Sequence, residues 1–174
     1  MGDPVQRNRA FRSKLRFLFV TVAVLLCTFG SQAQTTRIPL PNSNFPISQG
    51  VWVGDTLYLS GMMASTLSST APGDTKDQTV SAIQQIQKAL EAQKLTLGDV
   101  VMMHVYLAGD PAKGGKMDFA GFMAGYTQFF GTKDQPNKPA RSAMQVAALA
   151  APTGLVEIEV IAVRPLQPVS SRSR

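Results

Sequence analysis

The chain has 174 residues, with 17 Lys and Arg against 11 Asp and Glu and a single histidine, for a net charge of +6. Five of the basic residues (Arg7, Arg9, Arg12, Lys14, Arg16) and one acidic residue (Asp3) lie in the first 33 positions; the 12 basic and 10 acidic residues that remain give +2, so the excess is no nucleic-acid footprint. The one cysteine, Cys27, falls in the same stretch, which leaves no thiol for a disulfide, a nucleophile or a cysteine metal site, and His104 alone makes a histidine metal site equally unexpected.

In chain order, the basic run leads into an uncharged segment, Phe17 to Phe29, and then Ser31-Gln32-Ala33. A basic segment, a short apolar stretch and a small-x-small site predict a secretory signal peptide over 1–33, cleaved near Ala33. The alternative is an uncleaved anchor, but the apolar run falls short of the roughly 20 residues of a membrane span. The expected location is therefore secreted or periplasmic, with no stable membrane association after cleavage; a cysteine-free mature chain suits an oxidising compartment. Residues 34–165 are enough for a single domain with its own core.

Residues 34–50, rich in Pro, Asn, Ser and Thr, read as an irregular arm. Val51-Trp52-Val53 and Thr56 to Ser60 flank Gly54-Asp55 and predict a hairpin, with Gly61 ending its second strand. A polar loop over 64–76 precedes the clearest helix, Asp77 to Lys94, whose Val80, Ile83, Ile86 and Leu90 form one apolar stripe. Val100 to Leu107 is a strand and 109–116 a loop. Asp118 is placed to cap a second helix, along which Phe119, Phe122, Tyr126, Phe129 and Phe130 recur at helical spacing as a core-facing stripe. Arg141 to Ala147 and Leu155 to Arg164 are two strands joined by a turn at Ala151-Pro152-Thr153-Gly154. The Ser-, Pro- and Arg-rich tail, 166–174, is expected to be disordered. The order β-β-α-β-α-β-β predicts an α+β domain, a mixed sheet with two helices on one face. The uncovered face and long sheet edges then invite partners.

Two late residues stand out chemically. Arg141 offers a planar fork of donors suited to a carboxylate, and Glu157, on the next strand, can orient or activate water. Taken alone, an arginine at a strand start reads as an ion-pair partner or a snorkelling surface residue. Glu157 and Glu159 share a strand face by period two, and the pattern does not say which of them faces a cleft. His104, inside an apolar strand, reads as a satisfied sheet residue, and Ser60 has no His or Asp partner nearby to make it a nucleophile.

A set of ordered motifs goes further. Pro46-x-x-Gln49-Gly50, Leu57-Tyr58-Leu59-Ser60-Gly61, Leu97-x-Asp99-Val100-Val101, Asp118-Phe119, Tyr126-x-x-Phe129-Phe130, Pro139-Ala140-Arg141-Ser142 and Val156 to Val163 together resemble the RidA/YjgF family, the matching pieces running from about Pro46 to Val163, most of the mature chain. The resemblance implies a chorismate-mutase-like α+β subunit and a barrel-like homotrimer with sites between subunits. It also implies hydrolysis of reactive 2-enamine and 2-imine acids to 2-keto acids and ammonia, without metal or organic cofactor. Arg141 would hold the substrate carboxylate, Ser60 and Gly61 would help form the pocket, and Glu157 would serve the attacking water. Four positions depart from the family pattern: Ile47, Met62, Met123 and Ala143 stand where a Tyr, a Gln, an Asn and a Cys are common, so polar pocket lining becomes apolar. Polar contacts discriminate substrates strongly, so these changes bear on substrate identity. Two rival readings keep the same fold: a non-catalytic trimer binding a small, partly apolar carboxylate or keto acid, and a chaperone-like scaffold.

Overall fold

The computed structural model describes residues 34–68 and 70–165; the predicted signal peptide and C-terminal tail lie outside the described residues. Where the sequence suggests an irregular arm, Thr35–Pro39 forms β1, antiparallel to β2 (Ser48–Val53). Nearly all of β1 is exposed, so it has no apolar alternation to betray it. Val53 pairs with Thr56 across Gly54-Asp55, joining β2 to β3 (Thr56–Met63) in the predicted hairpin. Gly54 takes φ 59°, the left-handed value that primed hairpin turns require.

Gly61 does not end β3. The strand runs on to Met63, and its pairing with β6 (Val156–Val163) shifts between Leu59 and Met62. Leu59 opposes Val160 and Met62 opposes Ile158, so Ser60 and Gly61 together face Glu159 as a bulge. Between these strands in sequence lie α1 (Thr75–Ala92), β4 (Val100–Ala108), α2 (Phe119–Tyr126) and β5 (Ala140–Val146). The sheet has the order β1-β2-β3-β6-β4-β5, with β4 and β5 parallel and the other pairs antiparallel. β4 therefore separates β5 from β6, which follow one another in sequence.

α1 begins where Asp74 accepts a hydrogen bond from the Asp77 amide at 2.9 Å, and it stops at Gln93, after which Lys94 turns left-handed at φ 61°. Ile83, Ile86 and Leu90 of the predicted stripe are buried, each contributing roughly 1.5–3 kcal/mol. The stripe turns polar at its start. Buried Gln78 donates to the Thr153 carbonyl (2.9 Å) and accepts from the Leu155 amide (2.8 Å), tying α1 to the turn before β6. α2 is shorter than its aromatic spacing suggests, because the chain leaves the helix after Tyr126. It crosses close to α1 through Gly121 and Gly125: a Cβ on Gly125 would lie 2.7 Å from Thr79 Cβ and 2.9 Å from the Lys76 carbonyl.

Both helices cover one face of the sheet. Leu57, Leu59, Met103, Val105, Leu107, Val156, Ile158, Val160 and Ala162 point into this layer with Ile83, Leu90 and Phe122. The other face carries exposed Tyr58, Val101 and Met144 and half-buried His104, Tyr106, Glu157 and Glu159. No helix among the described residues is long and apolar enough to cross a membrane.

Candidate active site

The parallel register pairs Arg141 with Met103, which is fully buried beneath the helices, so Arg141 points to the helix side of the sheet. There its guanidinium carbon lies 4.5 Å from the Tyr126 ring centroid, 5.0 Å from that of Phe122 and 5.9 Å from that of Phe119. Its Nη1 is shielded and meets no hydrogen-bond acceptor among the described residues. Arg141 as a whole is half-buried, and a shielded guanidinium nitrogen is ordinarily matched by an acceptor such as a carboxylate, since a buried polar group left unpaired is costly. Ala143, the next residue of β5 to point inward, and Met123 on α2 are both packed against the core.

Glu157 lies on the opposite face of the sheet, between Tyr106 of β4 and Met63 of β3. Its carboxylate rests over the Gly61 backbone so closely that any Cβ there would overlap Oε1. That is the physical reason for a glycine at the bulge. Ser60 Oγ donates to the Ser48 carbonyl at 2.7 Å, so its hydroxyl holds the start of β2 against the bulge. Ile47, just before β2, is exposed, whereas Met62 turns inward opposite Ile158.

The two glutamates of β6 differ in how they are held. One oxygen of Glu159 accepts from Tyr106 Oη and contacts His104 Nδ1, both at 2.9 Å. Glu157 makes no hydrogen bond among the described residues. Burial pushes its carboxyl above the ordinary carboxylate range, and the neighbouring Glu159 charge adds to the shift. The Tyr106 phenol is raised as well, first by its hydrogen bond to Glu159 and then by burial.

Within one chain, then, the sequence candidates form two separate groups. Arg141, Ala143 and Met123 lie at β5 and α2; Ser60, Gly61, Glu157, Ile47 and Met62 lie at β2, β3 and β6. Two strand spacings and three residues of rise put the Arg141 and Glu157 backbones roughly 14 Å apart. Their side chains leave from opposite faces, so they form no ion pair.

Residues 39–164 match the family described as endoribonuclease L-PSP. TdcF of Escherichia coli, which bears the name of a reactive intermediate deaminase, is 33% identical over 125 residues, covering 71% of this chain and 91% of its own. The chain belongs to the RidA/YjgF/TdcF family. A RutC family protein of Saccharolobus solfataricus is 38% identical over 130 residues, 74% of this chain and 93% of that protein. The crystal structure of E. coli TdcF with bound serine has a TM-score of 0.60 at 31% identity, covering 78% of this chain and 100% of that one. The E. coli YjgF gene product has a TM-score of 0.59 at 32% identity, covering 72% and 93% respectively. The α+β fold expected from the motifs is thus the YjgF-type fold observed.

Two features of this RidA/YjgF chain escaped the sequence reading. Phe122 and Tyr126 are buried in the core as their spacing predicts, whereas Phe119 is exposed, and the three rings also form the bed of Arg141; the usable signal is an aromatic stripe on the helix that precedes the arginine strand. The Glu159 network was also missed. His104 and Tyr106 alternate on β4 as Glu157 and Glu159 do on β6, and antiparallel pairing of two such strands makes them meet.

Proposed function

We propose that this protein hydrolyses reactive 2-enamine and 2-imine acids to 2-keto acids and ammonia, in sites completed between copies of a barrel-like homotrimer. The observation that carries this reading is the Arg141 guanidinium, held on aromatic rings with a buried Nη1 and no carboxylate beside it among the described residues. Its fork is open to an incoming anion, since no described residue occupies Nη1. A substrate carboxylate fits the fork in bidentate fashion. Because Arg141 and Glu157 leave opposite faces of one sheet, the glutamate that meets the bound substrate is the partner subunit's Glu157.

In this mechanism Arg141 holds the carboxylate and sets the imine carbon against a water on the partner subunit's Glu157, with that subunit's Ser60 and Gly61 shaping the wall. The ionised glutamate takes a proton from the water as its oxygen bonds to the imine carbon, and the π electrons pass to the nitrogen, which takes a proton from solvent. The protonated glutamate then gives its proton to the amine nitrogen of the carbinolamine, and the C–N bond breaks as the hydroxyl loses its proton to solvent, leaving the ketone and ammonia. A raised carboxyl pKa brings the base closer to neutral pH, where general-base catalysis is more efficient. The serine in the TdcF crystal structure, an α-amino carboxylate, is of the ligand class this site would accept.

The test is to add the purified protein to freshly generated 2-iminopropanoate and follow loss of the imine, with Arg141→Ala alongside. Acceleration that disappears in the variant supports the proposal; no acceleration over buffer, and no effect of the variant, overturns it. A second reading, a binding trimer without turnover, draws on the apolar residues Ile47, Met62, Met123 and Ala143. Calorimetry with 2-keto acids of increasing side-chain length separates the two, since tight binding without imine loss favours the binder. We also propose export with removal of residues 1–33, supported by the basic and apolar segments of the leader. N-terminal sequencing of the mature protein decides it, and a start at Met1 refutes it.

A further inference from the structure

We propose that Tyr126 is the positioning residue for Arg141, its ring standing where a carboxylate ordinarily holds a half-buried arginine and so leaving the whole cationic charge to the ligand. The inference rests on the reading of Arg141 as the carboxylate anchor. A carboxylate in the place of Tyr126 would neutralise the guanidinium and compete with any incoming anion. An aromatic face attracts the cation through its quadrupole without occupying the N–H fork.

Among the three rings, Tyr126 is both nearest and most firmly held. It lies 4.5 Å from the guanidinium carbon, against 5.0 Å for Phe122 and 5.9 Å for Phe119. Phe119 is 42% exposed, whereas Tyr126 is 7% exposed. Tyr126 is clamped between Phe130, stacked at 4.9 Å with 13° between planes, and Phe122 at 5.7 Å. Phe130 itself is buried, so the Tyr126 ring cannot swing away from the guanidinium. The Tyr126 hydroxyl makes no hydrogen bond among the described residues, so the ring face, and not the phenol, is what acts on Arg141.

A uniform grip on the carboxylate, equal in ground and transition state, appears in KM and leaves kcat unchanged. Three variants of the purified protein separate positioning from packing. Tyr126→Phe keeps the ring. Tyr126→Met fills the space without a π face. Pentafluorophenylalanine at position 126 keeps the shape and inverts the quadrupole, so it remains decisive even if the methionine variant fails to fold. KM and kcat for 2-iminopropanoate and the calorimetric Kd for pyruvate are measured for each. The expected result is a Tyr126→Phe protein within about twofold of wild type in all three constants. The methionine and fluorinated proteins should show KM and Kd raised about tenfold with kcat within about threefold. Unchanged KM and Kd in the fluorinated protein, or a loss of kcat that tracks a lowered Tm at constant KM, would overturn the proposal. Arg141→Ala is measured alongside. If it abolishes pyruvate binding while the Tyr126 variants bind normally, the positioning role alone fails; if it binds pyruvate like wild type, the anchor reading fails as well.

Discussion

Replacing Gly61 with alanine should remove most of the activity while leaving the fold intact. The added Cβ would overlap Glu157 Oε1 and lie 2.8 Å from its Cδ and 3.0 Å from its Cγ. Carbon atoms settle at roughly 3.5–4.0 Å, so the carboxyl group must retreat on the order of 1 Å. Glu157 is half-buried and free of hydrogen bonds among the described residues, and it can yield for about 0.5–1.5 kcal/mol of rotamer strain. Gly61 does not adopt a left-handed φ, so alanine adds no backbone strain there and recovers about 0.4–1 kcal/mol by restricting the unfolded chain. The two contributions nearly cancel. Catalysis has no such compensation, since misplacing a reacting group by 1 Å can cost about 100-fold. Steady-state hydrolysis of 2-iminopropanoate should give a kcat about 30- to 100-fold lower, with the thermal midpoint moved by only a few degrees. A Gly61→Ala protein with wild-type kcat would refute the reasoning, because it would mean that the position of Glu157 does not matter.

Glu159→Gln removes the charge that, after burial, raises the Glu157 carboxyl, so the Glu157 pKa should fall toward its ordinary value. In the proposed mechanism Glu157 acts when ionised, so the acid limb of the kcat/KM profile should move to lower pH; a limb that stays put or moves up contradicts the assignment of the base. Gly125→Ala forces a methyl group against Thr79 and the Lys76 carbonyl at the α1–α2 crossing and should cost roughly 1–3 kcal/mol, read as a lower urea midpoint at unchanged m-value. An unchanged midpoint would mean that the helices can separate freely.

Much of the fold was legible because burial leaves a period. The α1 stripe, the Gly54-Asp55 hairpin and the alternation of β6 all follow from residues that must face the core. β1 leaves no trace, because an edge strand with only Ile38 turned toward the core has nothing to alternate. The Ser60-Gly61 bulge looks like a strand end in the sequence, because an inserted residue breaks the period at the same place a terminus would. The candidate site residues can be named from the sequence one by one, but their arrangement cannot. Arg141 and Glu157 look like neighbours across one turn, but β4 inserts between their strands, and nothing local to either segment records that. Nor does an aromatic stripe that packs in the core say that it also lies beneath a guanidinium.

The division of the site between two copies is most directly tested by mixing subunits. Arg141→Ala and Glu157→Gln chains are each expected to be inactive as homotrimers. Unfolded together and reassembled in equal amounts, they pair an intact Arg141 with an intact partner Glu157 at about one interface in four of a cyclic trimer. The account predicts recovery of about a quarter of wild-type activity in the mixture. A reassembled mixed trimer as inactive as its parents would contradict it and place both residues' work within a single chain.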